Sequence, residues 1–152
     1  MTFTSEAQAL DILSDASRAP ELRAKAARYL GQYPTTPRGM QSLVTALQDD
    51  DFGVQWEAAE ALARCAPLAL PEMLKALTDP KRAGDPRVRR GISHALHESR
   101  DPELKALTAD LVEALREPAA IIGAMVAAGT LLLKCQKEKA AQARRTMGRP
   151  AN

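Results

Sequence analysis

The chain has very few aromatic and β-branched residues. Its 152 residues include one Trp, two Tyr and two Phe, and Ile and Val together number nine. Strands need such side chains to fill a pleated surface, so this composition excludes an all-β fold. By contrast, 29 residues are Ala and 19 are Leu, and the hydrophobic share of 45% is enough to form a core. The composition therefore predicts an all-α fold packed through small side chains.

Cysteines and long apolar segments are also scarce. The two cysteines, Cys65 and Cys135, are too few for a disulfide framework, and we expect both to be reduced residues in or near the core. Met1 to Glu6 has neither the basic nor the apolar region of a secretory signal. The uncharged run from Pro118 to Leu133 has 16 residues, fewer than the ~20 that a spanning helix needs. We therefore expect a cytoplasmic protein in which this run forms a buried terminal helix.

Positive charge is concentrated at one end of a nearly neutral chain. Lys plus Arg exceed Asp plus Glu by 21 to 19, yet the first 133 residues have a net charge of −3 and the remainder +5. We interpret residues 134–152 as a basic helical extension or tail, which either aids solubility or binds an acidic partner, a nucleic acid or a membrane surface. Its cations are Lys134, Lys137, Lys139, Arg144, Arg145 and Arg149.

Proline and capping residues divide the chain into eight predicted helices. Thr36-Pro37, Asp85-Pro86 and Asp101-Pro102 each place a capping side chain before a proline suited to the first helical position. Pro71 and Pro118 are interpreted as similar helix starts. The predicted helices span residues 5–17, 20–31, 36–48, 51–65, 67–78, 85–99, 101–116 and 118–147. The short connections between them predict four antiparallel hairpins.

The second helices of these hairpins repeat one another. Residues 22–30, 54–62 and 88–96 overlay, and a fainter copy begins at Ile122 and continues through Val126 and Thr130. The anchors Leu22, Val54, Val88 and Ile122 are 32, 34 and 34 residues apart. The first helices repeat in phase, as Leu43–Asp49, Met73–Asp79 and Leu111–Glu117. Two submotifs that recur together indicate an array of helical hairpins.

The pattern resembles HEAT repeats, in particular the short bacterial kind of the phycobilin-lyase-type HEAT proteins. Leu-x-x-Ala-Leu-x-Asp stretches followed by Val-x-x-x-Ala-Ala-x-Ala-Leu express this resemblance, and Leu43–Leu62 is the best copy. It implies a right-handed α-solenoid of about four hairpins over residues 1–133, with units at about 5–31, 36–65, 67–99 and 101–133. The Ala-Ala pairs would let second helices approach closely. The family also suggests a bilin-lyase-like chaperone or assembly factor as one alternative function.

In HEAT-like arrays the second helices line the concave surface, and residues beside the packing stripe face it. Positions +1, +2 and +6 from each anchor therefore indicate partner-binding residues. Trp56, flanked by arginines, is a candidate binding hot spot. The full set of candidates is Arg23, Arg28, Gln55, Trp56, Glu60, Arg87, Arg89, Arg90 and His94.

No catalytic or phosphate-binding motif is present in the sequence. His94, His97 and Glu98 resemble a metal-binding spacing, but both histidines lie off the core stripe and we interpret them as solvated. Asp49-Asp50-Asp51 is interpreted as a helix cap. We therefore expect no enzymatic activity, no cofactor and no metal.

Three functional hypotheses follow. The first is a non-catalytic scaffold or adaptor that binds another protein, through an acidic peptide or surface of that protein, on the concave face. The second is a nucleic-acid-binding helical-repeat protein that uses the third-unit arginines and the basic tail. The third is a subunit of an oligomer or larger assembly. In that case residues Ile121–Leu133 form a contact surface instead of capping the solenoid.

Overall fold

A computed structural model of the chain describes residues 2–32 and 36–148. Within these ranges it has eight α-helices and no strand, which confirms the predicted all-α fold. The helices are α1 (Glu6–Ser14), α2 (Pro20–Gln32), α3 (Pro37–Ala46), α4 (Phe52–Arg64), α5 (Ala66–Thr78), α6 (Pro86–Glu98), α7 (Pro102–Arg116) and α8 (Ile121–Met147).

Side-chain caps define most of the helix starts. Ser5, Thr36, Asp51, Asp85 and Asp101 each precede a helix and accept a hydrogen bond from a main-chain N–H in its first turn. These bonds satisfy N–H groups that have no partner within the helix. The capping interpretation of the Asp49–Asp51 run is therefore confirmed for Asp51.

Two of the prolines do not mark helix starts, contrary to prediction. Pro71 lies inside α5, where Pro67 already occupies the first turn. Pro118 lies in the turn before α8, which begins three residues later than predicted, at Ile121. Proline is accommodated in turns as well as at the first helical position. The presence of a proline therefore did not by itself distinguish a helix start from a turn.

The first three hairpins form two layers of helices. α1 contacts α3 and α3 contacts α5 in one layer, while α2 contacts α4 and α4 contacts α6 in the other. Each hairpin pairs one helix from each layer, since α1 packs on α2, α3 on α4 and α5 on α6. This is the arrangement of a helical-hairpin solenoid, as the repeats predict.

The fourth hairpin departs from this arrangement. α7 packs on α6 and α8 packs on α5, so the order of the two layers is exchanged in the last unit. Ile122, Val126 and Thr130 are consequently exposed, and the prediction that they form a fourth set of core anchors is wrong. The buried residues of α8 are Ala124 and Ala128. Among the described residues, no helix is both long and apolar enough to cross a membrane.

Small residues bring the second helices close together. Ala26, Ala27, Ala58 and Ala59 are buried, as the Ala-Ala pairs predict. One close approach is at Gly31 of α2, where an added Cβ would lie 2.5 Å from Ala61 Cβ and 2.6 Å from Ala61 Cα. The Ala61 Cα belongs to the backbone of α4 and cannot move away as a flexible side chain can. The spacing of α2 and α4 therefore requires glycine at this position.

Gly31→Ala is expected to destabilise the protein, although alanine favours helix by up to about 1 kcal/mol over glycine. Overpacking costs about 1–3 kcal/mol, and the clash involves backbone, so we expect a net loss. Gly123→Ala is the matched control, because an added Cβ there meets nothing within 4 Å. Thermal denaturation should show a lower melting temperature for Gly31→Ala and an equal or higher one for Gly123→Ala. Equal melting temperatures for both variants would contradict the close-contact argument.

Candidate functional site

The nine candidate residues separate according to their position in the repeat. The +1 residues, Arg23, Gln55 and Arg89, make hydrogen bonds to helix ends and connecting turns. The candidates at +2 and +6 are exposed or half-exposed on α2, α4 and α6. They are Arg28, Trp56, Glu60, Arg90 and His94. Repeat position therefore decides whether a polar side chain supports the fold or faces solvent.

Arg23 is buried, contrary to the expectation that it faces a partner. Its Nη2 and Nε donate to the two carboxylate oxygens of Asp49, at 2.9 and 3.0 Å, and Nη1 donates to the carbonyl of Arg18. Burial alone would raise the pKa of Asp49, but bonds from Arg23 and from the main chain of Asp51 outweigh it and lower that pKa. Arg23 therefore joins the first unit to the turn of the second.

Arg89 is buried in the same way, which also corrects its assignment to the partner surface. Its Nη2 donates to the carbonyls of Ala114, Leu115 and Glu117, the shortest at 2.9 Å. A cation at the C-terminal end of a helix satisfies its last carbonyls and opposes the negative end of its dipole. The Nη1 of Arg89 has no hydrogen-bond partner among the described residues. Arg89 thus holds the end of α7 against α6.

Arg87 is half-exposed but is bound to neighbouring groups. Its guanidinium donates to both carboxylate oxygens of Asp85, at 2.9 and 3.2 Å, and to the carbonyl of Gln48 at 2.8 Å. The Gln48 amide donates in turn to Asp85. The hydrogen bond from Arg87 is the main reason that the pKa of Asp85 lies well below its usual value, despite partial burial. Arg87 therefore joins the turns of the second and third units.

Trp56 is exposed on α4, and its assignment to a binding surface stays a prediction. Its side chain is 48% exposed, and its ring lies 4.9 Å from the His94 ring, centroid to centroid. His94 Nε2 lies 2.6 Å from a carboxylate oxygen of Glu60. These contacts connect α4 to α6 and restrict the orientation of both rings. An aromatic surface that is already ordered loses little entropy when a partner binds.

Two further candidate cations contact the residues on either side of Trp56 in α4. Arg28 is exposed and pairs with Glu57 at 2.5 Å. Arg90 is exposed and donates to the neutral amide oxygen of Gln55 at 3.2 Å. The hydrogen bond of Arg90 therefore involves no carboxylate.

A shallow depression adjoins the Trp56–His94 pair on α6 and α7. It has a volume of about 360 Å³ and no acidic side chain in its lining. The lining residues are Arg90, Ser93, His94, His97, Leu115 and Arg116. Leu115 and Arg116 of α7 were missed in the sequence, because the repeat pattern placed α7 in the other layer. Ser93 and His97 of α6 were missed because they lie at +5 and +9 from the anchor Val88, positions that the repeat pattern did not select. The faintness of the repeat in the fourth unit could have indicated that α7 and α8 pack differently from the earlier helices.

A larger cleft of about 1150 Å³ lies beyond Glu60, near the ends of α4 and α6 and the start of α7. Its lining mixes charges, with Glu60, Glu98, Asp101 and Glu103 beside Arg64 and Arg100. The smaller depression is therefore the better match to an acidic ligand, because its lining has no acidic side chain, and the lining includes His94 of the Trp56–His94 pair.

Possible metal ligands and thiols were located among the described residues. No group of three or more His, Cys, Asp or Glu residues lies close enough to hold a metal ion in residues 2–32 and 36–148. Cys65 and Cys135 are free and half-buried, and desolvation raises the pKa of both thiols. A raised pKa disfavours the reactive thiolate.

The basic tail continues α8 as a helix to Met147. Lys134, Lys137, Lys139, Arg144 and Arg145 are all exposed on it. Arg149 and the rest of the predicted tail, residues 149–152, lie outside the described residues.

Arg23→Met is expected to lower the free energy of unfolding by about 2 kcal/mol near neutral pH, since it leaves a charged carboxylate without its main partner. The lowered pKa of Asp49 contributes stability above the unfolded-state pKa, and this contribution is lost as the pH falls. The difference between wild type and variant should therefore shrink between about pH 5 and pH 2, as measured by urea denaturation. Arg28→Met, which removes an exposed pair, should change stability little. A difference independent of pH would contradict the assigned role of Arg23.

Comparison with known proteins identifies the repeats. The family model of HEAT repeats matches residues 6–83, which include α1 to α5. No curated protein and no solved structure matches the chain. The match covers just over half of the chain and agrees with the hairpin array. The chain therefore belongs to the HEAT-repeat family.

Proposed function

We propose that this protein is a non-catalytic interaction module that binds a partner protein on the face of α2, α4 and α6. HEAT repeats commonly serve as scaffolds for protein interactions. The observation that supports a specific site is the half-exposed Trp56, held against His94 beside a depression without acidic lining. The proposed ligand is a peptide segment with an apolar side chain next to a carboxylate.

The apolar part of the ligand would cover Trp56. Tryptophan and arginine are enriched among residues that dominate binding energy, especially where a surrounding rim excludes water. Here Arg28 pairs with Glu57 and Arg90 with Gln55, the two residues next to Trp56 in α4. Trp56 is therefore the proposed anchor, and these neighbours are the proposed rim.

The acidic part of the ligand would enter the depression. Arg90 and Arg116 approach it from α6 and α7, and both are arginines, which bind carboxylates with two parallel hydrogen bonds. Arg116 lies 3.7 Å from Glu113, a weak and exposed contact that a stronger ligand carboxylate can replace. Charge in such a site mainly sets orientation and association rate.

A protein partner is favoured over nucleic acid because two of the three arginines of the third unit are bound within the fold. Of the third-unit cluster, Arg89 is buried and Arg87 is bound to Asp85 and Gln48. Arg90 alone of the three faces the depression. Nucleic-acid affinity depends on several free cations that neutralise phosphates, and the face of α2, α4 and α6 offers few of them.

The test is affinity capture with the full chain followed by mass spectrometry and a direct affinity measurement. Trp56→Ala combined with Arg90→Ala should weaken binding of the main partner at least about 10-fold, since hot-spot truncations cost about 2 kcal/mol or more. Leu68→Ala is the matched control, because Leu68 is 67% exposed on α5, outside this face. The control should bind as the wild type does.

Two outcomes would overturn the proposal. One is a partner whose affinity is the same for the double variant and the wild type. The other is the recovery of nucleic acid, with a gel shift that the double variant loses and that weakens steeply with salt.

A further inference from the structure

The outward face of α8 has an apolar stripe that the solenoid leaves uncovered. Val126, Leu133, Ala140 and Met147 recur every seven residues and are all exposed, and Ile122 lies one turn before them. The exposed fractions of Ile122, Val126 and Leu133 are 76%, 64% and 58%. A seven-residue apolar repeat is the pattern by which a helix packs along another helix. These five residues are called the end stripe below.

The second half of α8 extends beyond the rest of the fold. From Gln136 to Met147 every residue except Ala141 is exposed. Twelve residues of helix span about 18 Å, and isolated helices of this length are marginal in water. This segment has Lys137, Lys139, Arg144 and Arg145 against one acid, Glu138. It therefore has apolar and basic residues but no partner surface within the described chain.

The outward face of α7 has the opposite charge. Glu103, Ala106, Asp110, Glu113 and Glu117 are exposed and follow one another at spacings of three and four, so they lie on one side of the helix. Leu104, Thr108, Leu111 and Leu115 are buried on the other side. From Asp101 to Glu117 there are five acidic and two basic residues.

Both faces belong to the same end of the molecule. α7 lies against α6 and α8 lies against α5, so the sides opposite these contacts together form the end of the solenoid. One surface thus contains an apolar stripe, a basic segment and an acidic segment. Self-complementarity of this kind is what a two-fold symmetric interface requires, because each half meets its own copy.

We propose that this end face binds a second copy of the same chain, with the basic half of α8 from each protomer lying along the acidic face of α7 of the other. The end stripe then fills the apolar centre of the interface. Two helices side by side, about 22 and 40 Å long and 10 Å wide, present roughly 600 Å² in projection. That is of the order of the ~800 Å² per partner in stable complexes.

The test is the mass of the full chain in solution, measured by light scattering and sedimentation over a range of concentrations. The wild type should have twice the monomer mass of 16.4 kDa. Val126→Gln combined with Leu133→Gln should weaken dimerisation at least about 100-fold, because each lost apolar contact occurs twice in a symmetric dimer. Both residues are exposed in one chain, so helix content by circular dichroism should remain unchanged. Leu68→Gln is the matched control and should leave the dimer intact.

Charge reversal tests the pairing of α8 with α7. Lys137→Glu with Arg144→Glu should weaken the dimer, and so should Glu103→Lys with Asp110→Lys. Combining all four substitutions in one chain should restore it, since every contact is again between opposite charges. Trp56→Ala should not affect the mass, which separates this proposal from the partner-binding function.

Three results would overturn the proposal. The first is a wild-type monomer at about 100 µM, well above the Kd of a specific dimer. The second is a dimer that the end-stripe substitutions leave unchanged. The third is a monomer that loses a different protein when Leu133 is replaced by Gln, which would assign the face to that protein.

Discussion

The close contact of α2 with α4 and of α4 with α6 is the constraint on which the rest of the structure depends. It exists because glycine and alanine occupy the contact line, and at Gly31 even one added methyl group would meet the backbone of α4. Close helices leave no room for large side chains between them. Every long polar side chain on the second helices must therefore turn toward a helix end or a connecting turn, or face solvent, while the large apolar ones fill the core. This choice separates the structural arginines from the exposed ones.

The inward arginines compensate for a weakness of helices packed through small residues. Alanine contacts bury little area, so the apolar contribution of each contact is modest. Arg23 and Arg89 add charged hydrogen bonds between successive units, one to the carboxylate of Asp49 and the other to the last carbonyls of α7. A buried guanidinium is costly to desolvate unless most of its donors are satisfied. Arg23 meets this requirement, whereas Arg89 retains one unpaired Nη1 and depends on three carbonyls at a single helix end.

Features that depend on local sequence could be predicted, whereas features that depend on packing against distant residues could not. Caps and the first three sets of anchors are local, so the bounds of α2 and α7 could be predicted closely. The exposure of Trp56 could be predicted because Val54 and Ala58 already supply the core contacts of that turn. Arg23 was misassigned because its partner, Asp49, is 26 residues away. Ile122 was misassigned because the repeat pattern does not encode which layer the last helix joins.

The exchange of layers in the last unit also determines what the candidate surface can be. With the layers in regular order, α8 would lie beside α6, but in the structure α7 takes this place and contributes Leu115 and Arg116 to the depression. Arg89 fixes the same end of α7 through its carbonyls. One inward arginine thus positions an outward one on the neighbouring helix. The exchange also places a short helix over α6 and a long helix over α5, so that α8 extends past its neighbours. The depression near Trp56 and the uncovered end of the solenoid therefore arise from the same change in packing.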